Sequence, residues 1–287
     1  MPIDIMRAFD EQQPDPDFIW PGFLAGTVGA LVAPGATGKS FWALQAAMAV
    51  ACHAPGGDLL GLNPTKNGRV FYIAGEDPEL ALMQRLYSMS SHLDPESRQS
   101  IAENLVIDPI MGKQLNLVSD DQRKALMEKC RGARLLVIDT LSRVHQLDEN
   151  SNGDMARLIA AFEDIAKVTG AAVLFLHHAN KMSIREGQGD HQHAARGASS
   201  LIDNARWCAY MSKMTADESK RYSERSGGAP ILGRREQFVR YGVSKQNYGQ
   251  TQLEQWFTRA DGGVLIPTTL HAVEKSSAGN KEGRDRV

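Results

Sequence analysis

The sequence predicts an α/β fold with a mostly parallel central sheet flanked by helices and with antiparallel strands added at its C-terminal edge. Three observations predict it. Short apolar runs alternate with longer amphipathic runs from residue 28 to residue 176, as in parallel βαβ units. A glycine-containing turn joins the first strand of this series to the first long helix. After residue 176 the pattern changes to short apolar runs separated by turns, which favours antiparallel strands.

The elements follow in chain order from the apolar spacing. Strands are predicted at residues 28–33, 69–74, 105–107, 134–139 and 171–176, and helices at 39–52, 78–91, 120–130 and 153–168. Beyond these, we predict a short helix near 199–204, a strand near 207–211, a polar helix at 216–224, and strands near 237–243, 253–258 and 264–266.

The two ends of the chain do not share this pattern. Residues 1–27 are rich in Pro and Asp with scattered large apolar side chains, and we expect an N-terminal arm that docks on another surface. Residues 274–287 are charged and rich in Ser and Gly, which predicts a disordered polar tail. A single large domain at residues 28–273 suits a chain of 287 residues with 42% hydrophobic content.

Composition argues against several classes of protein. The longest apolar run, residues 41–52, contains Gln45 and is too short to span a bilayer, and the N-terminus does not resemble a signal peptide, so we expect a cytoplasmic protein without a membrane partner. Cys52, Cys130 and Cys208 are odd in number and far apart, which indicates buried free thiols. A net charge of −2 provides no global basic field, so any contact with DNA needs a local patch.

The turn at residues 33–40, Ala-Pro-Gly-Ala-Thr-Gly-Lys-Ser, indicates a phosphate-binding P-loop. Its glycines allow the backbone to wrap a polyphosphate with N–H groups inward, and the helix that follows adds its dipole. Lys39 is expected to reach the β/γ oxygens and Ser40 to ligate Mg²⁺. Ala33 stands where the general motif has its first glycine. The predicted nucleotide-binding residues are Gly35, Ala36, Thr37, Gly38, Lys39, Ser40 and Phe41.

Two further strands lead to carboxylates. The run at residues 134–139 ends in Asp139 in the Walker B form, so Asp139 is expected to hold Mg²⁺ through water or Ser40, with a helix-capping role as the alternative. Glu76 and Asp77 follow the strand at 69–74. Because Pro78 suits the first helical position, we expect Asp77 to be the helix N-cap and Glu76 to be the general base for water.

The strand at 171–176 is followed by two adjacent histidines, His177 and His178. Neighbouring residues on a strand face opposite sides, so the two cannot share one role. Because this strand is expected to end at the catalytic edge, His178 is a candidate sensor of the γ-phosphate, with an ordinary structural histidine as the alternative. His145, His191 and His193 lack metal-ligand spacing.

These motifs resemble the RecA-like ATPases, and most closely the RepA-type hexameric replicative DNA helicases of IncQ-type mobilisable plasmids. Further matching segments are Ala-Arg-Gly-Ala-Ser-Ser at 195–200, Asp-Asn-Ala-Arg-Trp at 203–207 and Val-Ser-Lys-Gln-Asn-Tyr-Gly at 243–249. The resemblance covers residues 26–267 and implies a RecA-like P-loop NTPase fold, a homohexameric ring, ATP and Mg²⁺ at each subunit interface, and single-stranded DNA in the channel. It also implies that Arg206 is an arginine finger reaching the neighbour's site, a role that spacing alone does not indicate.

The same resemblance implies DNA contacts from the loops at 141–154 and 180–195. The basic candidates are Arg143 in the first loop, Lys181 and Arg185 in the second, and Lys245 elsewhere. Acidic side chains oppose them in both loops, so an acidic surface loop is the alternative. Six copies around a channel would still place about a dozen basic side chains near one strand.

We therefore predict an ATP-driven helicase that translocates on single-stranded DNA in plasmid replication. No primase domain is recognisable, so plasmid initiator and primase proteins are expected as separate chains. Two alternatives share the P-loop, Glu76 and Asp139: a regulatory RecA-like ATPase without unwinding activity, and a recombination mediator that forms filaments.

Overall fold

A nine-stranded sheet forms the centre of the computed structural model, which describes residues 2–178, 199–249 and 254–273. The strands are β1 (Phe18–Trp20), β2 (Phe23–Leu24), β3 (Val28–Ala33), β4 (Val70–Ala74), β5 (Leu105–Pro109), β6 (Leu135–Asp139), β7 (Ala172–His178), β8 (Trp207–Lys213), β9 (Tyr222–Ser223), β10 (Phe238–Gln246), β11 (Gln255–Arg259), β12 (Leu265–Thr268) and β13 (His271–Ala272). The helices are α1 (Ile5–Asp10), α2 (Lys39–Ala51), α3 (Glu79–Ser90), α4 (Pro95–Asn104), α5 (Asp120–Lys129), α6 (Asn152–Thr169), α7 (Ser199–Asn204) and α8 (Ala216–Arg221).

The sheet order is β12-β11-β10-β8-β3-β7-β6-β4-β5. The strands from β8 to β5 run parallel, whereas β10, β11 and β12 are antiparallel to their neighbours. The predicted α/β fold, with antiparallel strands at the C-terminal edge of a mainly parallel sheet, is therefore confirmed. Parallel strands end at a common edge, so the segments after β3, β4, β6 and β7 meet there.

Alternate residues of each central strand enter the two apolar layers on the faces of the sheet. In β7, Leu174 packs towards α2, α3 and α4, whereas Val173 and Phe175 pack towards α5, α6 and α7. Burial of both faces explains why the parallel strands read as continuous apolar runs.

The predicted N-terminal arm contains two different structures. Helix α1 buries none of its side chains, and Ile5, Met6 and Phe9 are exposed. The β1–β2 hairpin is instead part of the core. The ring centroids of Trp20 and Trp42 lie 5.9 Å apart there, in an edge-to-face arrangement. The boundary proposed at residue 27 stays a prediction.

Most predicted elements up to β8 lie within two residues of the observed bounds. The polar helix predicted at 216–224 ends earlier, at Arg221, because Tyr222 is extended and pairs with Ala272 of β13. Strand β7 continues to His178, so both histidines belong to the strand. The chemistry of the three thiols agrees with the prediction: Cys52, Cys130 and Cys208 are free and buried.

The predicted disordered tail and the whole of the second predicted DNA loop, residues 180–195, lie outside the described residues. Among the helices that the structure does describe, none combines the length and the apolar character that a membrane crossing requires.

Candidate nucleotide site

The P-loop joins the end of β3 to the start of α2. Gly38 is the N-cap of α2 and has φ of 103°, and Ala36 has φ of 58°. Glycine adopts such a left-handed conformation at no steric cost, and alternating conformations of this kind form concave sets of N–H groups that bind anions. A Cβ on Gly35 would meet no atom within 4 Å, so the loop is open on that side. The described geometry suits a polyphosphate.

Lys39 lies at the centre of the site and is only 6% exposed. Its Nζ donates to the carbonyl of Ala33 at 3.0 Å and lies 3.1 Å from Nδ1 of His178. Burial lowers the pKa of this ammonium, although Asp139 and Glu76 act in the opposite direction. A buried ammonium whose hydrogen bonds go to a carbonyl and an imidazole is expected to gain stability from an anionic ligand, which fits the predicted phosphate contact.

Asp139 ends β6 and is 3% exposed. Burial raises the pKa of its carboxyl group, whereas hydrogen bonds from Tyr72 and Ser40 act to lower it. The Tyr72 hydroxyl donates to Oδ2 at 2.7 Å. The helix-capping alternative does not describe this site, because the short 3-10 helix that follows has Thr140 as its N-cap and no side-chain cap bond. A serine hydroxyl beside a carboxylate is an oxygen donor set that suits Mg²⁺.

His178 connects Lys39 to Glu76. Its Nε2 lies 3.4 Å from Oε1 of Glu76, and its Nδ1 faces the Lys39 ammonium. Because an ammonium can only donate, Nδ1 is the acceptor, and the ring hydrogen of a neutral His178 is assigned to Nε2, facing the carboxylate. The side chain of Glu76 remains 35% exposed, so a water molecule can reach it.

Asp77 is not the helix cap that the sequence predicts. Pro78, with ψ of 156°, is itself the N-cap of α3 and provides no side-chain cap bond, so the helix begins one residue later than expected. The Asp77 carboxylate instead forms a bidentate ion pair with Arg85 of α3, at 2.5 and 2.8 Å. Arg85 also lies over the ring of Phe41, 5.1 Å from its centroid.

His177 faces the other side of β7, as predicted for adjacent strand residues. Its Nδ1 lies 4.0 Å from Glu149, and the same carboxylate lies 3.7 Å from Nε2 of His145. Burial lowers the pKa of His177 to about 4, so the ring is neutral near neutral pH. The position of the His177 ring near Glu149 means that it faces the segment after β6 rather than the P-loop.

Arg206 lies at the edge of the sheet where the parallel strands begin, whereas the P-loop lies at the edge where they end. It is exposed and immediately precedes β8, and its backbone N–H donates to the carbonyl of Val28 at 2.8 Å. Ala33 is five residues further along β3, roughly 16 Å away at about 3.3 Å per residue. Arg206 therefore cannot reach the P-loop of its own chain.

The two DNA-binding candidates that the structure describes, Arg143 and Lys245, lie at different edges of the sheet. Arg143 lies beside the site, because a Cβ on Gly75 would come within 2.6 Å of the Arg143 Cβ. Lys245 lies near Arg206 and donates to the carbonyls of Ile202 and Asp203 at 3.2 and 2.7 Å, which places its ammonium at the end of α7. Lys181 and Arg185 lie outside the described residues.

Three side chains near the site escaped the sequence prediction. Tyr72 bonds Asp139 from the neighbouring strand, Arg85 pairs with Asp77, and Arg259 of β11 donates to P-loop carbonyls. The arginine on α3 has a weak sequence signal, since it is eight residues from Asp77. Arg259 has none, because its place depends on the order of distant antiparallel strands.

The fold and this site together define an NTPase of the P-loop α/β class. A family model described as "AAA domain" matches residues 2–183, which is more than half of the chain, so the chain belongs to this AAA-domain family.

Two solved structures show the same fold. A RadB recombinase structure has a TM-score of 0.51 and 14% sequence identity, over 85% of this chain and 90% of that chain. The structure of a DnaB-like replicative helicase, described together with its interactions with primase, has a TM-score of 0.59 and 12% identity, over 84% of this chain. This chain spans 57% of the length of that helicase chain. These likenesses establish a RecA-like fold.

Proposed function

We propose that this protein is an ATP-dependent replicative DNA helicase that translocates on single-stranded DNA as a homohexameric ring. The observation that carries the proposal is the separation of Arg206 from the P-loop, because an arginine at the far end of the sheet can complete a site only on another copy. Two features support this proposal: the sequence motifs that resemble those of the RepA-type plasmid helicases, including the Arg206 segment, and a fold shared with a DnaB-like helicase.

In this proposal the chain's own groups divide the chemistry of ATP hydrolysis. Peptide N–H groups of the P-loop and the Lys39 ammonium would bind the β/γ-phosphates, and Ser40 and Asp139 would hold Mg²⁺, which would neutralise phosphate charge when bound. Glu76 accepts a proton from the attacking water as the bond between the γ-phosphorus and the β,γ-bridging oxygen breaks. ADP and phosphate leave, and Lys39 stabilises the negative charge that develops on the leaving oxygen.

His178 is proposed to sense the γ-phosphate. It lies between Lys39 and Glu76, so a change in how Lys39 bonds the nucleotide alters the partner of Nδ1 and, through the ring, the position of Glu76. The segment after β7, which contains Lys181 and Arg185, follows directly in the chain. Hydrolysis would thereby be coupled to the segment for which DNA contacts are proposed.

We further propose that the protein acts in the cytoplasm during plasmid replication, together with separate initiator and primase chains. DNA contacts are assigned to Arg143, Lys181 and Arg185, with Lys245 as the next candidate. A recombination mediator that forms filaments is the second candidate function, favoured by the match to 90% of the RadB recombinase chain.

One set of measurements separates these functions. A ring helicase should show ATPase turnover stimulated by single-stranded DNA, displacement of a labelled strand from a forked duplex, and closed six-membered particles in negative-stain images. Filaments without strand displacement would favour the recombination mediator. Turnover that ignores DNA would favour a regulatory ATPase.

The DNA assignment has its own test. Replacing Lys181 and Arg185 together by Ala should weaken binding of single-stranded DNA. It should also make the slope of log K against log salt less steep, because fewer phosphate contacts form and fewer counterions are released on binding. Fluorescence anisotropy at several salt concentrations measures both. Unchanged affinity would move the DNA site elsewhere.

A further inference from the structure

Arg259 is the last residue of β11 and lies against the backbone of the P-loop. Because β8 runs parallel to β3 and the chain then reverses at β10 and again at β11, β11 ends at the same sheet edge as β3. The Arg259 Nη2 donates to the carbonyl of Thr37 and lies 3.5 Å from the carbonyl oxygen of Ala36. Its Nη1 lies 3.1 Å from the point where a Cβ on Gly38 would stand.

The hairpin that carries Arg259 is fixed to α2 by two other contacts. Gln45 Nε2 donates to the Leu265 carbonyl at 2.8 Å, and the Leu265 N–H donates to Gln45 Oε1 at 2.9 Å. Gly263 lies so close to Phe41 that a Cβ there would come within 2.9 Å of the ring. The P-loop helix and the hairpin therefore hold each other in place, and the guanidinium is presented to the loop from a fixed support.

The surroundings of the guanidinium are mainly backbone. Arg259 is partly buried, and within the described ranges both hydrogen bonds of its side chain go to P-loop carbonyl groups. Burial lowers the pKa of Arg259, and the nearby charge of Glu236 acts to raise it. Because a guanidinium presents several donors in a fixed planar fork, Arg259 can hold both P-loop carbonyl groups at once.

We infer that Arg259 is a positioning residue that sets the orientation of two P-loop peptide groups. In a trans peptide, the carbonyl of one residue and the N–H of the next point in opposite directions. When the carbonyls of Ala36 and Thr37 are turned towards Arg259, the N–H groups of Thr37 and Gly38 are turned away from it, into the concave side of the loop. Those are among the groups that bind a polyphosphate in such a loop. The inference rests on the proposed nucleotide-binding function.

The test compares two ligands that share the phosphate groups but not the nucleoside: ADP and inorganic pyrophosphate. Isothermal titration calorimetry of Arg259→Ala should show weaker binding of both ligands by the same factor. We expect roughly a tenfold to a hundredfold increase in Kd, the range expected for loss of a hydrogen bond from a charged group. Arg259→Lys should lie between this variant and the natural chain, because a lysine keeps the charge but not the planar fork.

The matched control is Arg131→Ala. Arg131 is an exposed arginine just after α5 that pairs with Glu128, and its loss should leave both dissociation constants unchanged. Thermal unfolding of each variant without ligand reports on folding. If Arg259→Ala unfolds at a much lower temperature than the natural chain, Arg259→Lys provides the same comparison of the two ligands.

Each outcome bears on a stated claim. Weaker binding of ADP with unchanged binding of pyrophosphate would show that Arg259 contacts the nucleoside and would overturn the positioning role. Unchanged binding of both ligands by Arg259→Ala would overturn it as well. Failure of the natural chain to bind either ligand would instead contradict the proposed function, which keeps the two failures distinct.

Discussion

At the scale of single residues, Lys39 and Glu76 lie on either side of His178 and are expected to fail in different ways when replaced. Lys39→Ala removes a phosphate contact, so it should abolish turnover and weaken ATP binding. Glu76→Gln removes only the proton acceptor, so it should abolish turnover and leave ATP bound. Steady-state ATPase assays and calorimetric titration measure the two effects.

Glu79→Gln is the matched control, because Glu79 is an exposed carboxylate in the first turn of α3. It should keep turnover and affinity close to those of the natural chain. Equal loss of ATP affinity in the Lys39 and Glu76 variants would contradict the division of roles.

His177 makes stability depend on pH. Its pKa falls from the ordinary value of 6.5 to about 4, chiefly because burial disfavours the charged ring. The unfolded chain therefore binds a proton at this histidine below about pH 6.5, whereas the folded chain does so only near pH 4. The stability contributed by the neutral ring is present above pH 6.5 and lost as pH falls towards 4, by roughly 3 kcal/mol in full.

His177→Gln should flatten this dependence. Urea unfolding at pH values between 4 and 7 measures the free energy of unfolding for the variant and for the natural chain. His92→Gln, at an exposed histidine, is the control and should keep the original slope. The same slope in His177→Gln would show that other groups cause the acid sensitivity.

At the residue scale, the sequence could predict the site residues that lie at or just after the ends of parallel strands. Lys39, Glu76, Asp139 and His178 come together because parallel strands end at one edge, which apolar runs in the sequence already predict. Asp77 was assigned wrongly because the backbone angle of proline suits both the N-cap and the first helical position. The contact between Arg259 and the P-loop depends on pairing of distant strands, which no local pattern contains.

At the scale of elements, α1 and the β1–β2 hairpin should contribute very differently to stability. Helix α1 buries no side chain, so deletion of residues 2–11 should change the free energy of unfolding by only about 0.5 kcal/mol. Trp20→Ala removes a ring packed against Trp42 and Trp207 and should cost about 3–5 kcal/mol. Urea unfolding of both variants tests this. A large loss on deletion would mean that the arm packs on its own domain.

The sequence pattern missed elements that are very short or that bury few side chains. Helix α4 buries only Ser97 and Ile101, so its spacing shows no amphipathic repeat, although Asp94 caps it by accepting from the Ser97 N–H. Strands β1 and β2 are three and two residues long, which is too short for a visible alternation. The long helices and buried strands were predicted to within about two residues because their burial repeats over many positions.

At the scale of the whole molecule, the proposed ring can be tested by mixing two inactive variants. Arg206→Ala keeps an intact P-loop, and Lys39→Ala keeps an intact arginine. Random co-assembly of equal amounts gives about one interface in four with both groups whole, because heterologous contacts join one face of each subunit to the other face of the next. ATPase activity should then partly return.

The natural chain diluted with Lys39→Ala, Arg206→Ala double-variant subunits is the control for exchange between rings. If subunits are shown to exchange and the mixture stays as inactive as its components, Arg206 does not act on a neighbour's site.

Gln45 has a consequence for solubility. Leu265 belongs to β12, which is the outermost strand among the described residues of the sheet, and its N–H and carbonyl face away from β11 towards the Gln45 amide. A side-chain amide thus occupies hydrogen-bonding groups of a sheet edge that could otherwise pair with a strand of another molecule. Gln45→Met should leave both backbone groups unsatisfied and increase aggregation on mild heating, measured by light scattering. Gln84→Met, at an exposed position of α3, is the comparison and should scatter no more than the natural chain.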